Sequence, residues 1–158
     1  MFREVQLPDG IRGKLFLHSM PGRLERFAAA RTAIADSEVK HVVCLTLDRE
    51  IREMSPDYAA AIEAGPPWRH VAIPVPDGGI PSDAESFREA ARSIAALLKN
   101  GENVLVHCAA GIGRTGTFAA AVLCQLGVAL PDAQRIVRAA GSSSESDAQR
   151  RFLRSICE

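Results

Sequence analysis

The sequence predicts an α/β fold, a single domain over residues 1–158 with a central, largely parallel sheet flanked by helices on both faces. Two observations carry that expectation. Short apolar runs rich in β-branched residues alternate with longer stretches of helical spacing, the order that successive βαβ units leave in a chain. And 158 residues with 47% hydrophobic and 24% charged side chains suffice for one core, with no internal repeat, low-complexity tract or linker to divide them.

The elements follow in order. Phe2 to Leu7 and Lys14 to His18 read as two short strands joined through the Pro8-Asp9-Gly10 turn. Arg23 to Ala35 is alanine-rich, with apolar side chains at helical spacing at Leu24, Phe27, Ala28 and Ile34. His41 to Leu47 is a strand. A short helix after Pro56 covers Tyr58 to Ala64, and His70 to Val75 is a strand that Pro74 and Pro76 bring to an end. Ser82-Asp83-Ala84-Glu85 has the form of a capping box, Ser82 accepting from a backbone N–H and Glu85 reaching back. Its helix runs to about Leu98, with Gly101 near the stop. Asn103 to His107 is a strand, and Arg114 to Leu126 a helix stopped by Gly127. Pro131 opens another helix, ended near Gly141, and the last helix runs from about Ser146 to about Cys157.

Composition excludes several functions. Lys plus Arg is 19 and Asp plus Glu is 19, so a general nucleic-acid binder, which would carry a basic excess, is not expected. The N-terminal MFREVQLPDG has no apolar core of a signal peptide. Phe118 to Leu130 is interrupted by Gln125 and Gly127 and is too short to span a bilayer, so no membrane partner is expected. Cys44, Cys108, Cys124 and Cys157 lack CxxC spacing, which argues against a zinc site. They read as reduced thiols of a cytoplasmic protein. Neither a metal nor an organic cofactor is expected.

The chemistry concentrates in VLVHCAAGIGRTGT, Val104 to Thr117. In open α/β sheets sites form beyond the carboxyl ends of strands, and Cys108 stands at such an end. The loop Cys108-Ala109-Ala110-Gly111-Ile112-Gly113-Arg114 leads into a helix N-terminus. Gly111 and Gly113 permit positive φ, so the backbone can curl until its N–H groups converge on an anion. The helix dipole favours negative charge there, and the Arg114 fork fits two phosphate oxygens. These same dipoles and the guanidinium favour thiolate over thiol at Cys108. A thiolate facing a bound phosphorus atom is a nucleophile in position. An inert, buried cysteine is the competing reading; it is preferred for Cys124 and Cys157, but the joint spacing of Cys, two Gly and Arg speaks against it for Cys108. A nucleotide loop fits poorly, because GxxxxGK[ST] and GxGxxG are both absent.

HCAAGIGRTGT resembles the HCxxGxxR[ST]G signature of the cysteine-dependent protein tyrosine phosphatases. KLFLHSMPGRLERF, HVVCLTLDREI and the tail SESDAQRRFL are similar to the small atypical dual-specificity phosphatases, and PVPDGGIPS to the acid loop of kinase-associated and Cdc-fourteen-like phosphatases. The order, acid loop first and nucleophile loop second, sets the chain apart from low-molecular-weight phosphatases and arsenate reductases. The resemblance implies that Asp77, in Val75-Pro76-Asp77-Gly78-Gly79-Ile80-Pro81, is acid in the first step and base in the second; by composition alone this is a turn. Asp48 and Glu50 are lesser rivals for the acid. Either could orient Arg114, although solvated surface charge is the reading preferred for them.

Further roles follow from the same resemblance. Thr115 would donate to the Cys108 sulfur as it leaves the phosphoenzyme, and His107 would order the loop and assist thiolate formation without acting as general base. Ala109 to Gly113 would bind phosphate through their backbone. Glu145-Ser146-Asp147-Ala148-Gln149 resembles the family segment [QE]TxxQ; glutamate in its first position puts a water-positioning role in doubt and leaves Gln149 the better supporting residue. A protective disulfide between Cys44 and Cys108 occurs in some relatives, but a core thiol is the preferred reading of Cys44. The expected function is hydrolysis of phosphotyrosine and phosphoserine/threonine in a protein or peptide, by a monomer. A phosphoinositide, an RNA 5′-phosphate or a non-catalytic phosphate-binding module are the alternatives.

Overall fold

In the computed structural model, which describes residues 1–157, the apolar runs become five strands of one sheet. They are β1 (Arg3–Val5), β2 (Leu15–His18), β3 (Val39–Cys44), β4 (Arg69–Ala72) and β5 (Asn103–His107), in the spatial order β1-β2-β5-β3-β4. β1 pairs antiparallel with β2, and every other pairing is parallel. The helices among the described residues are α1 (Phe27–Asp36), α2 (Asp48–Met54), α3 (Pro56–Ala64), α4 (Ala84–Lys99), α5 (Gly113–Gln125), α6 (Leu130–Ala139) and α7 (Asp147–Cys157).

The inner strands β2, β5 and β3 are mostly apolar because both sheet faces are covered there, while the edge strands β1 and β4 are more polar and more exposed. Alternate side chains enter two cores. Leu15, Leu17, Val43, Val104 and Val106 pack with α4, α5 and α7, while Phe16, Val42, Cys44 and Leu105 pack with Ile34 of α1, Ile51 of α2 and Tyr58 of α3. β5 lies between β2 and β3, and Val104, Leu105 and Val106 are fully buried. The strand that delivers Cys108 is therefore the most enclosed in the sheet. α5, which follows it, is buried from Gly113 to Leu123, the signature of a helix packed on every side.

Three local expectations change. The first helix begins at Phe27 rather than Arg23, because the Glu25 carboxylate pairs with His18 and accepts from Gly22 N–H, fixing residues 22–25 as a turn. α2 was not expected: DREIREM buries only Ile51, too little for an apolar period to show. α4 is capped by Asp83, not Ser82. Asp83 Oδ1 accepts from the N–H groups of Glu85 (3.1 Å) and Ser86 (3.2 Å), one residue later than the expected box. No helix among the described residues is long and apolar enough to cross a membrane.

Candidate active site

The turn from β5 into α5 holds Cys108 at the floor of a loop whose carbonyl groups are tied down from behind. The Cys108 carbonyl accepts from His107 Nδ1 at 3.0 Å. The Ala109 carbonyl accepts from Met20 N–H (3.0 Å) and Arg23 Nη1 (3.1 Å). The Gly111 carbonyl accepts from Arg3 Nη2 (2.7 Å) and Ser142 Oγ (2.6 Å). The Ile112 carbonyl accepts from Gly116 N–H (2.8 Å) and Ser143 N–H (3.2 Å), and the Gly113 carbonyl from Thr117 Oγ1 (2.8 Å). Because each peptide is planar and trans, carbonyls held outward turn the following N–H groups inward. The N–H groups of Ala110 and Ile112 have no protein acceptor among the described residues. Gly111 N–H points to Cys108 Sγ at 3.2 Å.

Gly111 adopts φ +76°, and a Cβ there would lie 2.5 Å from the His18 carbonyl oxygen, so no other residue fits. Gly113 departs from the expectation of positive φ. It belongs to α5 and is glycine for space, since a Cβ would meet Glu145 Oε1 at 2.3 Å.

Arg114, on the first turn of α5, is 3% exposed. Glu50 grips its guanidinium in a two-pronged pair, Nη1 to Oε2 at 2.8 Å and Nη2 to Oε1 at 2.9 Å, and Nη1 also donates to the Val75 carbonyl at 2.8 Å. Glu50 is thus not a solvated charge; it is the group that orients Arg114. Asp48 stays exposed and pairs with Arg52. Burial works against the Arg114 cation, but the bonds to Glu50, with Cys108 and Asp77 nearby, more than offset it and raise its pKa. Burial likewise works against the Glu50 carboxylate, and the Arg114 bond outweighs it, lowering the Glu50 pKa. The pair is ionised and rigid, which fixes where the free edge of the fork faces.

Asp77 reaches the same site from the loop after β4. Its side chain is 84% exposed, with Oδ1 3.5 Å from Arg114 Nη2. Pro76 and Gly79 close a turn around it, Gly79 N–H to the Pro76 carbonyl at 2.9 Å, with Gly78 at φ +71°. The start of α7 anchors this loop. Ser146 Oγ donates to the Gly78 carbonyl (2.9 Å) and Gln149 Nε2 to the Gly79 carbonyl (3.2 Å), while Gln149 Oε1 accepts from Glu145 N–H at 2.7 Å. Gln149, 1% exposed, joins the Asp77 loop to the segment that packs on Gly113.

Thr115 Oγ1 is buried without a hydrogen-bond partner, and its expected bond to Cys108 Sγ is not formed here. Cys44 is a free thiol bonded to Thr46 Oγ1 at 3.2 Å, and it packs on the opposite core from Cys108. Among the described residues no group of three or more His, Cys, Asp or Glu could hold a metal ion.

His107 is fully buried between two partners. Its Nε2 lies 2.7 Å from Tyr58 Oη and its Nδ1 3.0 Å from the Cys108 carbonyl. The carbonyl can only accept, so Nδ1 carries the proton and Nε2 accepts from Tyr58. With both nitrogens committed, His107 orders the loop and has none to spare as a base. Burial pushes its pKa down to about 4, although the Cys108 carbonyl acts in the other direction. Between about pH 6.5 and that value the unfolded chain takes up a proton that the folded protein refuses. Stability therefore decreases as the pH is lowered across this window, by up to about 3 kcal/mol from this group, and the loss stops below it. Urea unfolding between these limits is expected to show that slope, and His107→Asn, whose amide can keep the bond to the carbonyl, to lose it. An equal slope in both proteins would remove the assignment.

A thiol ringed by inward N–H groups, beside a guanidinium held by a carboxylate and below an exposed aspartate, is the arrangement of a cysteine-dependent phosphate-ester site. A family model described as "Polymorphic toxin system, DSP-PTPase phosphatase" matches residues 18–128, and the chain belongs to that family. A stretch of 63 residues, 40% of this chain, is 40% identical to cyclin-dependent kinase inhibitor 3 of Rattus norvegicus; it spans 29% of that relative's length. Kinase associated phosphatase, solved with a serine in place of its catalytic-site cysteine, superposes with a TM-score of 0.82 at 18% identity, over 97% of this chain and 91% of that one. That likeness speaks for the fold. Tk-PTP in its active form is similar with a TM-score of 0.70 at 27% identity, over 98% and 95% of the two chains.

The sequence marks no role for Tyr58, Arg3 or Ser142, and for Glu50 it offers the orienting role only as the less favoured reading. Each acts on the loop from a distant part of the chain, and no local pattern marks it.

Proposed function

We propose that residues 1–158 form a single catalytic domain that hydrolyses phosphotyrosine and phosphoserine/threonine monoesters in proteins, acting as a monomer without metal or cofactor. The observation that carries this reading is the convergence of Cys108 Sγ, the loop N–H groups and the Glu50-held Arg114 fork beneath Asp77. The Cys108 thiolate attacks phosphorus, forming an S–P bond as the P–O bond to the leaving group breaks. Arg114 and the N–H groups of Ala109 to Gly113 stabilise the equatorial oxygens. Asp77 gives its proton to the leaving oxygen. Water then attacks the cysteinyl phosphate, Asp77 takes its proton, and the S–P bond breaks to restore the thiolate. Thr115 Oγ1, buried and unpartnered, is available to hydrogen-bond the departing sulfur. A reducing cytoplasm keeps Cys108 in its working form.

A protein substrate is favoured over a lipid headgroup because the five residues between Cys108 and Arg114 are Ala, Ala, Gly, Ile and Gly, with no lysine to neutralise further phosphates. Zero net charge gives no encouragement to RNA. The test is phosphate release in the presence of EDTA from phosphotyrosine and phosphothreonine peptides, a phosphoinositide and 5′-phosphorylated RNA. Release from the peptides is expected. Release from the lipid or RNA alone would overturn the protein-substrate reading, and no release from any would overturn the enzyme.

A further inference from the structure

The peptide between Gly111 and Ile112 is the one in the loop with the least steering of its own, since Gly111 lacks a side chain and adopts positive φ. Its orientation is imposed from outside. Arg3 Nη2 and Ser142 Oγ both donate to the Gly111 carbonyl, at 2.7 and 2.6 Å. Arg3 Nη1 also donates to Ser142 Oγ at 2.9 Å and to the Ala140 carbonyl at 2.8 Å, so the guanidinium spans two segments at once. Arg3 comes from the edge strand β1 and Ser142 from the segment after α6; both lie outside the residues matched by the family model. With the carbonyl held outward, Ile112 N–H on the same planar unit is directed inward, where it meets no protein acceptor. Freed from these ties, the peptide could turn over and face a carbonyl oxygen, not a donor, to the phosphate.

We propose that Arg3 is a positioning residue of the catalytic loop: with Ser142 it locks the Gly111–Ile112 peptide so that Ile112 N–H serves the bound phosphate. The proposal rests on the reading of this loop as a phosphate-ester site. Arginine suits the task because its planar fork reaches two acceptors at fixed angles, which a lysine ammonium cannot do. Burial lowers the Arg3 pKa and Cys108 acts in the opposite sense, so the guanidinium also lies within electrostatic reach of the nucleophile. It stays charged.

Arg3→Met, Arg3→Lys, Ser142→Ala and the double variant Arg3→Met/Ser142→Ala test it. The readouts are kcat and KM for para-nitrophenyl phosphate and the affinity for orthovanadate by calorimetric titration, all well below each variant's unfolding midpoint. Losing one pre-aimed donor is expected to lower kcat in Arg3→Met by about 10- to 100-fold, with vanadate affinity falling in parallel. KM should change little, and Arg3→Lys should recover part of the loss. The double variant should lose less than the product of the single effects, because both side chains hold one carbonyl. Wild-type kcat and vanadate affinity in Arg3→Met would overturn the proposal. So would a loss of kcat with vanadate affinity intact, or multiplicative effects in the double variant. If Arg3→Met does not fold, Arg3→Lys and Ser142→Ala carry the same comparison. A wild type that binds vanadate but turns over no phosphomonoester would sink the enzymatic reading and leave the binding comparison for Arg3 standing.

Discussion

Replacing Cys108 by serine is expected to lower hydrolysis of para-nitrophenyl phosphate by roughly four orders of magnitude or more, leaving phosphate binding largely in place. The two side chains are close in shape, and a serine hydroxyl can still accept from Gly111 N–H, which lies 3.2 Å from Sγ. What is lost is the intrinsic nucleophilicity of sulfur, which a hydroxyl does not match. His107 does not compensate: both its nitrogens are committed, to Tyr58 and to the Cys108 carbonyl, so this imidazole cannot activate a hydroxyl. Arg114 is held by Glu50 and the Val75 carbonyl, and the Ile112 N–H by the ties on the Gly111 carbonyl, so neither depends on the sulfur for its orientation. The split between lost kcat and retained binding of inorganic phosphate is therefore the informative result. Substantial activity in Cys108→Ser would place the nucleophile elsewhere.

Asp77→Asn is expected to lower kcat by about 100- to 1000-fold, and the size of the loss should depend on the leaving group. Asparagine keeps the length of the side chain and a carbonyl oxygen at the 3.5 Å approach to Arg114 Nη2, but it has no proton to give. An alkoxide leaving from phosphoserine or phosphothreonine needs that proton most, an activated nitrophenolate least. The loss should accordingly be larger for a phosphothreonine peptide than for para-nitrophenyl phosphate. A uniform loss would mean that Asp77 acts through the position of Arg114 and not as an acid. The exposure of Asp77 at 84% suits a group that must meet substrate from above the loop, and its anchors at Gly78 and Gly79 belong to Ser146 and Gln149.

What could be read from the sequence depended on how locally each feature is encoded. The Cys108–Arg114 loop is legible because an anion cradle of this kind needs contiguous residues: Cys108, two glycines and Arg114 lie within seven positions. The α/β order is legible because strands covered on both faces carry apolar side chains at consecutive positions, as in Val104, Leu105 and Val106. Asp77 was not marked by composition, and only the resemblance singled it out. The residues that hold the loop in shape act across the fold. Glu50 is 64 positions from Arg114, Tyr58 49 from His107 and Arg3 108 from Gly111. Their side chains are common types in unremarkable surroundings, and only the sheet order, which sets β1 and β3 on either side of the β2–β5 pair, brings them together. α2 is illegible in the sequence for a related reason. Its purpose is to present Glu50, and a helix of seven residues with one buried side chain leaves no period to detect.

The proposed mechanism requires Cys108 to carry the phosphoryl group between substrate and water. The direct measurement is to mix the wild-type protein with excess para-nitrophenyl phosphate, quench in acid within milliseconds, and map the protein by mass spectrometry. One added phosphoryl group is expected on the peptide containing Cys108, absent from Cys108→Ser treated in the same way. Turnover with no phosphorylated Cys108 at any quench time, or a phosphoryl group found on another residue, would contradict it.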